Sequence, residues 1–129
     1  ARIHFHDTTT PIRIWADPFH LGNILQNILE NAVKYCKRQP EIDISIQIVH
    51  HKVHLKISDN GIGIAPEMRK KIFKKFYRVP TGNVHDVKGF GLGLNYVDKL
   101  VRAHRWSITV SDNDLGGSVF NLIIPVIHE

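Results

Sequence analysis

Apolar residues recur at helical spacing between residues 21 and 36, and this is the strongest periodic signal in the chain. The stripe consists of Leu21, Ile24, Leu25, Ile28, Leu29, Ala32, Val33 and Cys36. Asp17 and Pro18 precede it, and an N-cap acid followed by proline at the first helical position is a typical helix start. The pattern therefore predicts a helix that begins at Pro18 and is ended by Pro40.

Alternation of apolar and polar residues predicts strands on both sides of this helix. The strand segments are 2–6, 12–16, 42–48, 53–57, 106–110 and 118–126. We expect the first two to form a hairpin, the next two to form an antiparallel pair that is apolar on one face, and the last two to be joined by a turn at Gly116 and Gly117.

Two further segments, 66–76 and 92–104, have helical spacing, and the Gly/Pro/Asn/Asp-bearing stretch at 77–91 between them is expected to be a mobile loop. The order of elements predicts an α+β two-layer sandwich. In it, three helices pack on one face of a mixed sheet.

Size and composition fit one compact domain covering residues 1–129, since 43% of the residues are hydrophobic and 22% are charged. The sequence has no run of 18 uncharged apolar residues and no basic leader, so we interpret it as an excised cytosolic piece of a larger protein. A single cysteine excludes an internal disulfide, and Cys36 on the apolar stripe is expected to act as a small hydrophobe.

Basic residues concentrate between positions 69 and 88. This segment contains seven of the seventeen Lys and Arg residues and only one acidic residue, Asp86. They are Arg69, Lys70, Lys71, Lys74, Lys75, Arg78 and Lys88. Such a run is usually a solvated helix face, although it also suits phosphates, nucleic acids or membranes. The formal charge of +5 makes an anionic partner plausible without identifying it.

Two glycine loops are the candidate nucleotide elements. The first, Asp59 to Ile64, follows a strand, and the second, Gly89 to Leu94, opens a helix. Alternate glycines let backbone amides approach a phosphate, and a helix N-terminus adds unpaired N–H groups. Neither loop matches G-x-G-x-x-G, because the sixth positions are Pro66 and Leu94, and no Gly-Lys pair exists for a Walker A motif.

A polar edge lies beside the apolar stripe of the first helix. At 100° per residue it groups Asn27, Asn31, Lys34, Tyr35 and Arg38. Asparagine is a mediocre helix former. A pair at i, i+4 is therefore either simply solvated at the surface or retained for a function at the expense of helix stability. Asn oxygens can ligate Mg2+, which usually takes few protein ligands together with substrate phosphates.

Five segments together resemble the N, G1, F, G2 and final glycine boxes of sensor histidine kinases. They are residues 27–35, 59–64, 72–78, 89–94 and 116–120, in the family's order and spanning about the whole chain. The resemblance implies the Bergerat ATP-binding fold of the GHKL superfamily, which gyrase, Hsp90 and MutL ATPases share. The element order derived above agrees with that fold.

The resemblance implies roles for particular residues in binding ATP and Mg2+. Asn31 would ligate Mg2+, Asn27 would lie close to the same phosphates, and Lys34 would contact a phosphate, which makes these three the catalytic set. Asp59 would accept a hydrogen bond from the adenine amine and so select A over G. The nucleotide-binding set as a whole is Asn27, Asn31, Lys34, Tyr35, Asp59, Gly61, Gly63, Ile64, Phe76, Arg78, Gly89, Gly91, Leu92, Gly93, Leu94 and Ser118.

Phe73 and Phe76 are interpreted as anchors of the ATP lid, with ordinary core aromatics as the alternative. By the same resemblance, part of the basic run would serve nucleotide phosphates or the partner domain.

The phosphoacceptor histidine of this family is expected on a separate dimerisation domain. The segment from His6 to Pro11 superficially resembles the acceptor motif, but it lies only about twenty residues before Asn27 and has a strand and turn pattern. In the related hydrolases, a glutamate four residues before the metal-binding asparagine activates water, and that position here is Asn27. The chain is therefore expected to hold ATP for an outside nucleophile.

The preferred function is that of a histidine protein kinase catalytic domain in two-component signalling. Its expected partners are its own dimerisation and phosphotransfer domain and, indirectly, a response regulator. The domain is expected to be monomeric and cytoplasmic, with a homodimeric inner-membrane parent. The alternatives are an anti-sigma-type serine kinase or related GHKL ATPase, and a nucleic-acid module that uses the basic run. A surface metal site is a further hypothesis, based on His4 and His6, which share a strand face, and on His50, His51 and His54, which cluster at a hairpin.

Overall fold

The computed structural model describes residues 2–6, 14–36, 39–74, 93–113 and 116–126. Its strands are β1 (Arg2–His6), β2 (Glu41–Val49), β3 (Lys52–Asp59), β4 (Ser107–Asp112) and β5 (Ser118–Pro125). Its helices are α1 (Pro18–Lys34) and α2 (Gly93–Ala103), with short 3₁₀ helices at Pro66–Met68 and Lys71–Phe73. Across these described ranges, no helix has both the length and the apolar character needed to cross a membrane.

Helix α1 begins where the sequence predicts. The Asp17 carboxylate accepts hydrogen bonds from the backbone N–H groups of Phe19 and His20, and Pro18 occupies the first turn. The buried residues of the helix are Ile24, Ile28 and Ala32. The predicted extension through Cys36 to Pro40 is wrong, because α1 ends at Lys34 and the next carbonyl, that of Tyr35, accepts a hydrogen bond from Ile62 instead.

The five strands form one sheet in the order β1-β2-β3-β5-β4. Strand β1 pairs in parallel with β2, from Arg2 opposite Glu41 to His6 opposite Ser45. The predicted hairpin between segments 2–6 and 12–16 is therefore wrong: residues 14–17 are irregular, and 12–13 lie outside the described ranges. Ile14 and Ala16 pack against the core, and α1 supplies the long crossover that parallel strands require.

Two of the other strand pairs follow the predicted hairpins, whereas the antiparallel pair of β3 and β5 is not predicted from the sequence. β2 and β3 are antiparallel and meet at His50 and His51, which both have positive φ, as a tight hairpin turn requires. β4 and β5 are antiparallel as well, with Gly116 and Gly117 in the turn. The sheet is thus mixed and mostly antiparallel, as expected for an α+β fold.

Both helices pack on the same face of the sheet, where a single cluster of apolar side chains forms the core. Its members are Ile24, Ile28, Ala32, Ile42, Val53, Leu55, Ile57, Ile72, Val97, Val101, Trp106, Val110, Phe120, Leu122 and Ile124. The predicted short helix over 66–76 is present, but its described part is divided into the two 3₁₀ helices. Ile72 is nonetheless buried, so the apolar spacing correctly marks the inward face of this segment.

Candidate nucleotide site

Asp59, the last residue of β3, carries a buried carboxylate at the start of the first glycine loop. Its side chain is 7% exposed, and its Oδ1 accepts hydrogen bonds from the N–H groups of Gly61 at 2.9 Å and Ser118 at 3.1 Å. Burial raises the pKa of Asp59 above its ordinary value, and these two hydrogen bonds partly oppose the rise. Both bonds end on Oδ1, so neither of them uses Oδ2.

Glycines line the surroundings of this carboxylate because side chains would not fit there. A Cβ on Gly61 would lie 2.7 Å from the Tyr35 carbonyl oxygen and 3.0 Å from Asp59 Oδ1. On the other side, Gly117 has a φ of +93° and lies against the main chain of Asp59. Gly63 also has a positive φ, and a Cβ on it would contact the Gly117 carbonyl oxygen at 3.4 Å. The two glycine turns therefore approach each other around Asp59.

The first glycine loop is attached to the C-terminal end of α1. Ile62 N–H donates to the Tyr35 carbonyl oxygen at 2.9 Å. The amide oxygen of Asn60 accepts from Glu41 N–H at 2.9 Å and from the half-buried Cys36 thiol at 3.2 Å, while its amide nitrogen donates to the Gln39 carbonyl. Asn60 therefore holds the loop against the chain that follows α1.

The polar edge of α1 lies against the start of α2. A Cβ on Gly93 would come within 2.9 Å of the Asn27 amide oxygen and 3.8 Å of the Asn31 amide nitrogen. The Asn27 amide nitrogen donates to the Asn23 carbonyl at 2.8 Å, and that of Asn31 donates to the Asn27 carbonyl at 2.9 Å. Both nitrogens are thus bound within the helix, and these bonds leave both amide oxygens as acceptors.

This arrangement fits a magnesium ion bound together with phosphates. Mg2+ prefers oxygen ligands and is usually held by one or two protein groups plus substrate phosphates and water. The amide oxygens of Asn27 and Asn31 are such groups, and Asn31 precedes Tyr35 by one helical turn, about 6 Å along the helix axis. Asn27 and Asn31 could therefore both hold the ion, and Asn31 lies one turn from the point where α1 meets the first glycine loop.

The other predicted site residues differ in how far they are exposed. Lys34 is exposed at the end of α1, Tyr35 is half-buried, and Ile64 and Leu94 are partly buried against the core. Ser118 is buried, and its backbone N–H is the group that contacts Asp59. The remaining predicted positions, Phe76, Arg78, Gly89, Gly91 and Leu92, lie outside the described residues, as does Arg38 of the polar edge.

The described part of the basic run has two different environments. Arg69 is half-buried and forms an ion pair with Asp112 at 2.8 Å, so it connects this segment to β4. Lys70, Lys71 and Lys74 are exposed, as expected for a solvated face. Lys75, Arg78 and Lys88 lie outside the described residues.

Phe73 packs edge-on against Phe120, with ring centroids 6.4 Å apart. Its carbonyl accepts a hydrogen bond from the Asn95 amide at 3.1 Å, which ties the segment to α2. Phe73 therefore contributes to the packing of the core, and the role of Phe76 stays a prediction.

The histidine hypothesis finds no supporting geometry in the described ranges. Among those residues, no group of three or more His, Cys, Asp or Glu side chains is placed to hold a metal ion. His54 instead faces Asn121, with its Nδ1 3.3 Å from the amide nitrogen.

One contact to Asp59 is absent from the sequence prediction. The amide nitrogen of Asn113, 54 residues further along, donates to the Asp59 carbonyl oxygen at 2.9 Å. In the sequence, Asn113 has only the general turn-forming character of Asn. No local pattern reveals that its side chain reaches a strand so distant in sequence.

Comparison with known proteins places the chain among nucleotide-binding kinases and ATPases. The family described as "Histidine kinase-, DNA gyrase B-, and HSP90-like ATPase" matches residues 16–128. The chain is 42% identical over 123 residues to the sensor protein RprX of Bacteroides fragilis, a match that covers 94% of this chain and 24% of that protein.

Two solved structures are similar over nearly the whole chain. The mycobacterial sensor histidine kinase MprB has a TM-score of 0.80 at 29% identity and covers 98% of this chain and 84% of its own. Full-length ShkA in complex with AMPPNP has a TM-score of 0.80 at 28% identity and covers 99% of this chain and 26% of its own. The chain spans about a quarter of the length of the curated relatives it matches.

Proposed function

Because the chain belongs to the family of histidine kinase-, DNA gyrase B- and HSP90-like ATPases, we propose that it binds Mg-ATP and donates the γ-phosphoryl group to a histidine on a separate dimerisation domain. The family match confirms the resemblance to sensor histidine kinases, and the similar solved structures confirm the Bergerat-type fold. The observation that carries the proposal is the buried carboxylate of Asp59 at the start of the first glycine loop. This loop binds α1 through the hydrogen bond from Ile62 to Tyr35, one helical turn after Asn31.

Asp59 would bind the base. Its carboxylate can only accept hydrogen bonds when ionised, and the adenine amine is a donor where guanine presents an oxygen. A carboxylate buried beside glycines has few water molecules to compete with, so the cost of its burial is offset when the amine binds. A role in binding the adenine amine therefore explains why Asp59 is buried although its burial raises its pKa in the free domain.

Asn27 and Asn31 would bind the phosphate end. When bound there, Mg2+ would supply positive charge that offsets the charge developing during phosphoryl transfer. The two amide oxygens are held in place because their nitrogens are bonded to main-chain carbonyls one turn earlier. Such preorganised ligands supply positioning and electrostatics, which dominate catalysis of phosphoryl transfer.

Transfer is favoured over hydrolysis by the residues around Asn31. The position of the hydrolases' water-activating glutamate is occupied by Asn27, whose amide cannot act as a base at neutral pH. Glu30, the acid nearest in sequence, is exposed and accepts a hydrogen bond from Gln26 at 3.1 Å. It therefore lies on a different side of α1 from Asn27 and Asn31.

The partners follow from the reaction. A histidine outside this chain must approach the γ-phosphate, so the dimerisation and phosphotransfer domain of the parent protein is the direct partner. A response regulator would then receive the phosphoryl group. We expect the isolated domain to be monomeric and the parent to be a homodimeric inner-membrane sensor kinase.

A phosphotransfer assay tests the proposal. The chain is incubated with Mg2+, γ-labelled ATP and the separately purified dimerisation domain of its parent, and the labelled product is treated with acid and with base. Acid-labile, base-stable label on the dimerisation domain is expected. Acid-stable label would instead indicate a serine kinase, and rapid release of free phosphate an ATPase.

Two variants connect the assay to the site. Asp59→Asn should abolish ATP binding in calorimetry and transfer in the assay while leaving the circular dichroism spectrum intact. Gln26→Ala, on the exposed side of the same helix as Asn31, should behave as the unaltered chain. Unchanged ATP affinity of the Asp59→Asn variant would exclude the adenine contact.

A further inference from the structure

At Asp59, β3 stays paired with β2, but on its other side the pairing with β5 gives way to contacts from the region where β4 turns into β5. The last residue pair between β3 and β5 is Ser58 with Val119, so Asp59 lies one residue beyond it. Two groups from the turn region bind Asp59 at this point: the Asn113 amide donates to its main-chain carbonyl, and the Ser118 N–H donates to its carboxylate. The main chain and the side chain of Asp59 are thus both held from the same turn.

Asn113 also organises the turn itself. Its N–H donates to the Gly117 carbonyl at 3.2 Å, and its carbonyl accepts from Gly116 N–H at 2.9 Å. With the side-chain bond of 2.9 Å to Asp59, Asn113 connects the end of β3 to the two glycines that precede β5. That turn leads directly into Gly117, which lies against Asp59, and Ser118, whose N–H donates to the Asp59 carboxylate.

We propose that Asn113 is a positioning residue for base selection: its amide fixes the turn whose Ser118 N–H orients the Asp59 carboxylate toward the base. This inference rests on the proposed function, because it takes Asp59 as the group that binds adenine. Without the amide, the Asp59 carbonyl loses its donor from the turn, and the turn is free to move away from the strand. The Ser118 hydrogen bond then no longer holds Oδ1 in one orientation.

The orientation matters because the contact with the base is a single hydrogen bond. A carboxylate with one oxygen fixed by two N–H groups presents the other oxygen in a defined direction, and hydrogen bonds weaken steeply as their geometry departs from linear. Loss of the Asn113 amide should therefore weaken binding of bases that donate an amine more than binding of bases that do not. A residue that only stabilised the fold would weaken both equally.

The experiment compares ATP with ITP, whose hypoxanthine base carries an oxygen in place of the amine. Calorimetry or competition binding gives the affinity for each nucleotide, and thermal unfolding gives the stability. The unaltered chain should prefer ATP. In Asn113→Ala, the preference for ATP over ITP should fall about fivefold or more, while ITP affinity stays nearly constant.

Asn95→Ala is the matched control. It also removes a side-chain amide that donates to a main-chain carbonyl, that of Phe73 at 3.1 Å, but away from Asp59. It should lower the melting temperature by an amount similar to Asn113→Ala and leave the ATP:ITP ratio unchanged. Equal ATP:ITP ratios in Asn113→Ala and the unaltered chain would overturn the positioning role and leave a structural one.

Further variants separate this inference from the proposed function. If the unaltered chain prefers ATP to ITP and Asp59→Asn loses ATP binding, the base contact stands, and only the Asn113 result decides the inference. Failure of the unaltered chain to bind ATP would overturn both. If Asn113→Ala does not fold, Asn113→Ser decides in its place, because its hydroxyl stops one atom short of the amide nitrogen.

Discussion

Gly117 lies directly against Asp59. A Cβ at position 117 would overlap the Asp59 carbonyl oxygen and come within 2.7 Å of the carboxylate Oδ1. The neighbouring Gly116 has almost the same φ, +89° against +93°, but a Cβ there would meet nothing within 4 Å. The two adjacent glycines therefore separate the cost of backbone conformation from the cost of closeness to Asp59.

Alanine at each of these glycines should give two different losses of stability. Gly116→Ala should lower the free energy of unfolding by about 1–2 kcal/mol, the cost of a left-handed conformation for a residue with a Cβ. Gly117→Ala adds the displacement of Asp59 and should lower it by about 2–5 kcal/mol. Urea unfolding of both variants measures the difference. Equal losses would show that the turn can move away from Asp59 without cost.

Gly93 and Gly22 form a second matched pair, one at the site and one remote from it. A Cβ at position 93 would lie 2.9 Å from the Asn27 amide oxygen, so Gly93→Ala should displace that side chain and weaken Mg-ATP binding roughly 5–30-fold. Gly22 is exposed within α1, with nothing within 4 Å of a Cβ. Gly22→Ala should bind Mg-ATP normally and raise the free energy of unfolding by up to about 1 kcal/mol.

Calorimetry with Mg-ATP and urea unfolding measure these two variants together. A normal affinity in Gly93→Ala would indicate that Asn27 moves aside freely and takes no part in binding.

Much of the fold follows from local signals. The apolar spacing with Asp17 and Pro18 identifies α1, and strict alternation identifies β2 and β3, because a buried face imposes these periods directly. The partner of β1 does not follow, because strand pairing depends on residues distant in sequence. Segment 12–16 has the alternation of a strand, yet Ile14 and Ala16 are used for core packing, and β1 pairs across α1 with β2.

The site shows the same division between local and distant information. The Asn pair on one helix edge and the glycines around Asp59 are visible as departures from ordinary composition. The sequence does not reveal which residues donate hydrogen bonds to Asp59 from the β4–β5 turn. The bonds from Asn113 and Ser118 arise only when the β4–β5 turn folds beside β3, across 54 and 59 residues of chain.

Asn31 should determine the magnesium dependence of the reaction. In the unaltered chain, its amide oxygen is held in place by the bond from its nitrogen to the Asn27 carbonyl. Asn31→Ala removes the ligand, so phosphotransfer should fall roughly 10–100-fold or more and should no longer respond to the Mg2+ concentration. A magnesium titration of the transfer rate measures this. Gln26→Ala should retain the normal titration curve, and a normal curve in Asn31→Ala would remove Asn31 from the metal site.

Asp59 should make the stability of the free domain depend on pH. Burial raises the pKa of its carboxyl above the ordinary value, and the hydrogen bonds from Gly61 and Ser118 lower it in part. A folded-state pKa above the unfolded value means that the contribution to stability is fully present below the unfolded pKa of about 3.9 and is lost as pH rises through the folded pKa. At neutral pH, the ionised carboxylate therefore destabilises the free domain.

Asp59→Asn should remove this pH dependence, because the amide is neutral and its oxygen can still accept from the same two N–H groups. The variant should unfold at a higher urea concentration than the unaltered chain at pH 7, and the difference should shrink as the pH is lowered through the raised pKa toward 4. Glu67→Gln, which neutralises an exposed carboxylate, should show no such change. A less stable Asp59→Asn variant at pH 7 would mean that the two hydrogen bonds to the carboxylate outweigh its burial. In that case, burial of the Asp59 carboxylate would not destabilise the free domain, and nucleotide binding would have no such cost to offset.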